Sequence, residues 1–227
     1  MVKVVLVSYT KDPEITCARC ASVSWRRESL KELTLSQARE IIRRVLKSGH
    51  ESVIEHASFT FFAEGVSRSL THQLVRHRIA SYTQQSMRYV DLLELKGYII
   101  KPKSISNNQE LSKIFDHVMA KCKDAYNLFR DKGISPEDAR FLLPIATQTK
   151  IAITMNAREL RHFFALRCCL RAQWEIRELA NKMLRICKSI APSLFDQAGP
   201  SCVRLGYCPE AELTCGQFER VLEMYKK

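Results

Sequence analysis

Residues 73–89 read QLVRHRIASYTQQSMRY and form the densest polar stretch of the chain. We expect a helix from Ser67 to about Arg76 and a loop over His77–Ser86, where apolar periodicity is almost lost. Arginine side chains pair bidentately with phosphate, and serine hydroxyls supply further donors. A basic cluster of this kind is most often a solvated loop, so the spacing has to decide whether it binds a ligand. The donors concerned are Arg76, Arg78, Ser81, Ser86 and Arg88.

The composition indicates a basic, globular protein. The chain has 227 residues, with 36 Lys and Arg against 24 Asp and Glu, which gives a formal net charge of +12. Apolar residues make up 46% and charged residues 26%, which excludes a mainly disordered chain. The positive charge indicates anionic partners, either nucleic acid or phosphate-bearing small molecules. No apolar run approaches the ~18–20 residues of a membrane span, so we expect no membrane partner.

The cysteines bear on the compartment and on the organisation of the chain. Their number, nine, is odd and they are scattered, which favours a reducing cytoplasm over a disulfide framework. We expect one domain over residues 1–195 and a cysteine-containing tail over residues 196–227. The tail cysteines could ligate a metal, form a disulfide or stay free, and free thiols are the prediction. They are Cys202, Cys208 and Cys215.

Working outward from residues 73–89, the sequence predicts strands and helices without regular alternation, which indicates an α+β fold. Strands are expected at 2–9, as a buried strand, and at 57–64, 98–100 and 145–155. Helices are expected at 13–24, 110–130, 156–169, 173–190 and 218–225. Another helix is expected to be capped by Ser36 and to end at Gly49, and Ser135-Pro136 marks a further helix start.

The spacing within the polar stretch fits a family signature. Arg76-His77-Arg78, Ser81, Ser86 and Arg88 match R-H-R-x-x-S-x-x-x-x-S-x-R at all six fixed positions. On this motif the chain resembles the flavin-dependent thymidylate synthases, the family often called ThyX. Further segments extend the resemblance over about residues 2–190. They are Gly49–Ser52 with Glu55-His56, Arg140–Pro144, Asn156–Arg158, Leu166-Arg167 and Ala172–Arg177.

The resemblance implies a fold and an activity. The fold would be ThyX-like, with helices flanking a mixed or antiparallel sheet, and the assembly would be a homotetramer with shared active sites. The activity would be reductive methylation of deoxyuridylate (dUMP) to thymidylate (dTMP). In that reaction 5,10-methylenetetrahydrofolate donates the carbon, NADPH reduces a bound FAD, and no enzyme side chain acts as the nucleophile.

Carried over position by position, the resemblance also implies site residues. To the flavin it assigns Ser52, Arg76, His77, Arg78, Gln84, Asn156, Ala157, Arg158 and His162. To dUMP it assigns Gln73, Leu74, Val75, Arg76, Gln84, Gln85, Ser86, Met87, Arg88, Arg140 and Arg167. Arg167 would be the catalytic residue that activates the uracil ring, and His50 would lie on the folate side.

Helix geometry adds an expectation that does not depend on the resemblance. Arg158 and His162 are four residues apart and share a helix face. Arg158 and Arg167 are nine apart, which is roughly 180° around a helix. One helix is therefore expected to direct its two arginines to opposite sides. They can serve one kind of site only if two subunits each contribute one face, which agrees with the implied homotetramer.

Two histidines, a cysteine pair and the basic charge of the chain each allow another interpretation. His50 and His56 could suggest a metal site, but six positions place them roughly 240° apart on a helix, so no metal is expected there. Cys17 and Cys20 form a lone C-x-x-C and are expected to pack as thiols. A non-enzymatic, basic nucleic-acid-binding protein is the alternative function. The chain carries no recognisable nucleic-acid module, so we expect no nucleic-acid partner.

Overall fold

A four-stranded antiparallel sheet is the centre of the fold. The computed structural model describes residues 2–25, 32–90 and 97–225. The strands are β1 (Lys3–Tyr9), β2 (Ser58–Ser67), β3 (Ala80–Gln84) and β4 (Gln148–Asn156). Their order across the sheet is β1-β2-β4-β3, and every neighbouring pair is antiparallel. The predicted α+β class with an antiparallel sheet is confirmed.

Helices surround this sheet. The larger ones are α1 (Pro13–Ser22), α2 (Leu35–Lys47), α3 (Arg68–Leu74), α5 (Gln109–Asp131), α7 (Ala157–Arg167), α8 (Trp174–Ile190) and α11 (Phe218–Tyr225). The short ones are α4 (Lys103–Ser106), α6 (Pro136–Ala139), α9 (Pro192–Phe195) and α10 (Ser201–Leu205). Single 3-10 turns cover Glu51–His56, Arg140–Leu142 and Ala211–Leu213. None of the described helices is both long and apolar enough to cross a membrane.

The core lies on one face of the sheet. Alternate residues of β2 and β4 point into it, because successive side chains of a strand point to opposite faces. Phe61 pairs with Ile153 in the register, and both are fully buried. The apolar faces of α7 and α8 cover them, with Phe163, Phe164 and Met183 in the same cluster. This packing fixes α7 against the sheet, and α7 carries much of the candidate site.

Two predictions about the sheet were wrong, one for residues 77–86 and one for the burial of the first strand. The expected loop over His77–Ser86 contains β3, which pairs with β4. Its partner lies about 70 positions away in the sequence, so local polarity concealed a strand with Ser81 and Thr83 exposed. The strand at 2–9 was expected to be buried, yet β1 has only β2 as a neighbour. It is an edge strand in which Val5 is 59% exposed.

Several element boundaries also differ from prediction. The helix expected to be capped by Ser36 is capped by Thr34, whose hydroxyl and backbone N–H both bond to Gln37 in a capping box. The expected strand at 98–100 is a single bridge between Ile99 and Thr147. The helix marked by Ser135-Pro136 exists and Ser135 caps it, but it spans only α6.

The described part of the tail packs against α8. Tyr225 of α11 donates its hydroxyl hydrogen to Asn181 at 2.5 Å, and Val221 is buried. A Cβ at Gly199, which has φ +156, would lie 3.0 Å from the Tyr225 ring. Arg171, to which sequence reasoning gave no role, bonds to the carbonyl of Leu213. The tail is thus held by Arg171, just before α8, and by Asn181, near the middle of α8.

Candidate active site

A buried carboxylate fixes the start of α3, the helix that leads into the polar motif of residues 73–89. Ser67 caps α3 by accepting a hydrogen bond from the Leu70 N–H. Its own N–H and hydroxyl donate to the two carboxylate oxygens of Glu175, at 2.6 and 2.5 Å. Glu175 is 1% exposed, and its burial raises the pKa of the carboxyl. A residue of α8 therefore fixes where α3, and the motif after it, begin.

The turn after α3 is held by a tyrosine. Tyr82 of β3 donates its hydroxyl hydrogen to the carbonyls of Leu74 and His77, at 2.9 and 2.8 Å. The turn buries His77 and leaves its neighbours Arg76 and Arg78 exposed. The first part of the motif therefore presents two guanidinium groups to solvent on either side of one buried imidazole.

His77 connects this turn to α7. Its Nε2 accepts a hydrogen bond from Arg167 Nε at 3.0 Å, and its Nδ1 lies 3.1 Å from Glu159 Oε1. Burial, with Arg167 and His162 nearby, lowers the pKa of His77 to about 4. The imidazole is therefore neutral at neutral pH. Both of its ring nitrogens are engaged by protein groups.

A cleft of about 470 Å³, which we call the Arg158 cleft, opens on one face of α7. Asn156, Arg158 and His162, all predicted flavin residues, line it together. Asn156 Oδ1 accepts from the Glu159 N–H at 2.9 Å and so caps α7, while Arg158 meets Glu55 at 2.5 Å. Further lining residues are Glu51, Glu55, Ile79, Glu159, Arg161, Ala165, Gln197, Ala198, Gly199 and Arg204.

The donors of the Arg158 cleft suit an anionic ligand. Arg158, Arg161 and Arg204 all line it. The Nε of Arg161 is buried and has no hydrogen-bond partner among the described residues. Ser52 and His50 are not among the residues that line this cleft; both are exposed, Ser52 in the 3-10 turn that supplies Glu51 and Glu55 and His50 directly before it. Glu55 and Glu51 pair with Arg158 and Arg161 in the same cleft, so an anionic ligand would compete with these two carboxylates.

Arg167 lines a different cleft from Arg158, although its Nε bonds His77, whose ring contacts His162 of the Arg158 cleft. Arg167 lines this separate cleft of about 310 Å³, here the Arg167 cleft, together with Arg171, Cys169, Cys202 and Cys208. All nine cysteines of the chain are free thiols. No group of three or more His, Cys, Asp or Glu within residues 2–25, 32–90 and 97–225 is arranged to hold a metal. The two arginines of α7 therefore serve different clefts of one protomer.

The second part of the motif, with Ser86 and Arg88, contacts α6 and lies near the arginine that follows α6. Arg88 pairs with Glu137 of α6 at 2.8 Å, and Arg140 Nε donates to the Glu137 carbonyl at 3.0 Å. Ser86 shapes this loop by accepting from the Arg88 N–H at 3.1 Å. The structure thus brings together three residues that the resemblance assigns to dUMP. None of these three residues lines the Arg158 cleft, which contains Arg158 and His162.

Sequence reasoning missed Arg68 at this place. Arg68 Nη2 donates to the carbonyl of Gln85 at 2.7 Å, while its Nε is buried with no described acceptor. Burial and the neighbouring Arg140 lower the pKa of its guanidinium. Arg68 lies outside the motif, and none of the spacings considered in the sequence analysis includes it.

The comparisons with known proteins identify the family. The family model described as "Thymidylate synthase complementing protein" matches residues 5–193. The chain belongs to this family. It is 47% identical to the flavin-dependent thymidylate synthase of Geobacter sulfurreducens, over 99% of this chain and 98% of that protein. It is 48% identical to the Pyrococcus abyssi protein of the same name, over 100% and 98% of the two chains. The Clostridium tetani relative is 47% identical over 99% and 97%.

Membership in the thymidylate synthase complementing protein family confirms the predicted resemblance and enzyme class. All three relatives carry the name flavin-dependent thymidylate synthase. None of these names supports the alternative, a non-enzymatic nucleic-acid-binding protein. The matched residues 5–193 contain both arginines of α7 and the entire motif, whereas the tail after Phe195 lies outside the match.

Within this family member, several predicted substrate residues have side chains that point away from the clefts. Leu74 is fully buried in the main core, and Met87 packs against Tyr126 and Ala139 in a second, smaller core. The side-chain amide of Gln84 donates to Thr71 at 3.1 Å. Gln73 is half-buried and Val75 is exposed. Ligand contacts by Leu74 and Met87 would therefore be made by their backbone groups.

Proposed function

We propose that this protein converts dUMP to dTMP by reductive methylation. The carbon donor is 5,10-methylenetetrahydrofolate, the reductant is NADPH, and the flavin is FAD. The observation that carries the proposal is α7, which directs Arg158 and His162 into one cleft while Arg167 lines a second cleft and bonds the motif's own histidine. This arrangement supports a flavin position and a pyrimidine position served by one helix.

The Arg158 cleft is the proposed flavin site. Arg158 and Arg161 would neutralise the diphosphate, and the capped N-terminus of α7 favours negative charge near Asn156. Ser52, Arg76, Arg78, Gln84 and Ala157 complete the proposed set, the last through its backbone because its side chain is buried. FAD held there by Arg158, Arg161 and the N-terminus of α7 would supply, once reduced, the hydride for the pyrimidine. His50, exposed beside this turn, is proposed to face the folate.

The loop with Ser86 and Arg88 is the proposed phosphate site of dUMP. Arg88 pairs with the carboxylate of Glu137 and Arg140 donates to its backbone carbonyl, so both arginines contact the same residue of α6 before any nucleotide arrives. Arginine recognises phosphate through paired N–H donors, which fixes position as well as charge. Arg68 stabilises this loop by donating a hydrogen bond to the Gln85 carbonyl. Fixing the phosphate converts binding into orientation of the uracil ring.

Arg167 is the proposed catalytic residue. Uracil C5 becomes nucleophilic when negative charge develops on the ring's nitrogen and oxygen edge, and a fixed guanidinium stabilises that charge. No thiol is needed as a nucleophile. Cys168 follows Arg167 directly but is 1% exposed, and burial raises its pKa to about 12. A nucleophilic cysteine needs the opposite shift.

The proposed assembly is a homotetramer with shared active sites. Arg158 and Arg167 line different clefts of one protomer, and in the proposed assembly an Arg158 and an Arg167 from different copies share one site. Large apolar side chains are exposed and could be covered by a second copy, among them Phe141 at 84% and Ile145 at 64%. The free thiols suit a reducing compartment, and we infer the cytoplasm.

Spectroscopy and product analysis test this function. The purified protein, reconstituted with FAD, should show the visible absorption of oxidised flavin, and anaerobic NADPH should bleach it. Addition of dUMP and 5,10-methylenetetrahydrofolate should then yield dTMP, with no dTMP when either is omitted. A protein that retains FAD but forms no dTMP with both substrates would contradict the proposed reaction.

A further inference from the structure

Glu159 is a buried carboxylate for which neither the family motif nor the proposed function gives a role. It belongs to α7, it is 7% exposed, and its Oε1 lies 3.1 Å from Nδ1 of the 4% exposed His77. The other ring nitrogen of His77 accepts from Arg167 at 3.0 Å. A single imidazole therefore links two residues of α7 that are eight positions apart.

The hydrogen bond from Arg167 shows which tautomer this imidazole adopts. A guanidinium can only donate, so His77 Nε2 must present its lone pair to Arg167 Nε. A neutral imidazole carries its one proton on the other nitrogen, which places that proton on Nδ1. The Nδ1–H then donates to the Glu159 carboxylate. Without an acceptor at Glu159, the proton could move to Nε2, where two donors would face each other.

The surroundings keep the imidazole neutral and its ring fixed. His162 and Phe163 of α7 contact the ring edge to face, with centroids 5.7 and 5.0 Å away. Tyr82 holds the His77 carbonyl at 2.8 Å. Burial and the positive charge of Arg167 both oppose protonation of His77, while burial raises the pKa of Glu159. Burial and the neighbouring Arg167 and His162 thus favour a neutral imidazole, while Glu159 holds its one proton on Nδ1.

We propose that Glu159 is a positioning residue for Arg167, acting through His77. By holding the proton on Nδ1, it keeps Nε2 free to accept from Arg167 Nε and so fixes the plane of the guanidinium. The Nη groups of Arg167 have no protein acceptor among the described residues, which leaves them for the substrate. The inference rests on the proposed function, in which Arg167 activates the uracil ring.

The tautomer is measured directly by NMR. Protein labelled with nitrogen-15 in its six histidines would be compared with a His77→Gln variant, whose missing signals identify His77. The wild type at pH 7 should show a protonated Nδ1 and an unprotonated Nε2. A wild-type spectrum with the proton on Nε2 overturns the proposal, whatever the variants do and whether or not the protein forms dTMP.

Two substitutions at Glu159 separate hydrogen bonding from packing. Gln keeps an oxygen acceptor, so Glu159→Gln should retain the Nδ1–H signature. Glu159→Leu fills the space without an acceptor, so the signature should be lost and kcat should fall by ~10–100-fold, with KM for dUMP changed much less. Glutamine should recover most of the lost kcat. A folded Glu159→Leu protein with wild-type kcat or with an unchanged tautomer overturns the proposal.

Glu14 provides the matched control. It is an equally buried carboxylate, 3% exposed, which accepts from the Ser193 N–H and from Arg39. Glu14→Leu should lower stability but leave the His77 signature and the ratio of kcat to KM unchanged. If Glu14→Leu lowers kcat as Glu159→Leu does, the effect is a general loss of packing and the proposal fails.

Discussion

The two ends of α7 hold their arginines in different ways. At the first turn, Arg158 meets Glu55 in an ion pair whose side chains are 52% and 41% exposed. At the last turn, Arg167 donates to an imidazole that is almost completely buried. An exposed ion pair contributes about 0–1 kcal/mol and exchanges partners easily, whereas a buried hydrogen bond fixes a direction. The exposed end suits binding of a charged cofactor, and the buried end suits catalysis.

Removing each arginine should produce different defects, and this is the largest expected effect. Arg167→Ala should lower kcat by ~10²–10³-fold, since it removes a preorganised charge, while the flavin content stays the same. Arg158→Ala should instead lower the amount of FAD retained. Steady-state dTMP formation and flavin absorbance per protomer measure both. Loss of flavin from Arg167→Ala in proportion to its lost activity would contradict the difference between the two ends.

Mixing these two variants tests whether the ends act in one site across subunits. Each homo-oligomer alone should be nearly inactive. After subunit exchange at equal amounts, about a quarter of the sites should combine an intact Arg158 from one chain with an intact Arg167 from the other. Activity should therefore rise with the fraction of mixed oligomers measured by native mass spectrometry. Mixed oligomers without any recovered activity would show that both arginines act within one protomer.

The buried end should also be visible in the pH dependence of stability. The pKa of His77 is about 4 in the folded protein and about 6.5 in an unfolded chain. As the pH falls, His77 is therefore protonated in the unfolded chain before it is protonated in the folded protein. Stability is complete above about pH 6.5 and falls toward pH 4 by up to about 1.4 kcal/mol per pH unit. Urea unfolding at fixed protomer concentration should show a shallower fall for His77→Gln. The exposed His117 provides the control, because His117→Gln should keep the wild-type slope.

The smallest effect is expected at the exposed end. Glu55→Gln removes the charge that faces Arg158, and the free energy of unfolding should change by less than about 0.5 kcal/mol. Glu159→Leu, at the buried end, should cost several times more, because a buried donor loses its acceptor. Urea unfolding of both variants at pH 7 gives the two values. Equal losses would mean that the two ends do not differ in how they are held.

The sequence predicts the parts of the fold that follow local periodicity. The apolar alternation of β2 and β4 and the cap of α7 at Asn156 are visible in the sequence and confirmed by the structure. β3 was missed because its polar residues become a strand only by pairing with β4. The contact between His77 and Glu159 joins positions 82 apart, so no spacing rule reveals it. Whether the predicted site residues contact their ligands stays a prediction.

The position of Glu175 in the sequence affects when the first turn of α3 can be fixed during synthesis. The carboxylate that holds Ser67 is encoded 108 positions after it. At a synthesis rate of ~5–20 residues per second, roughly 5–20 s separate the two residues at the ribosome. During that interval the nascent protomer already has the arginine motif as sequence but lacks the group that fixes the first turn of α3. The first turn of α3, which leads into the proposed nucleotide site, is therefore fixed only after the motif itself has been synthesised.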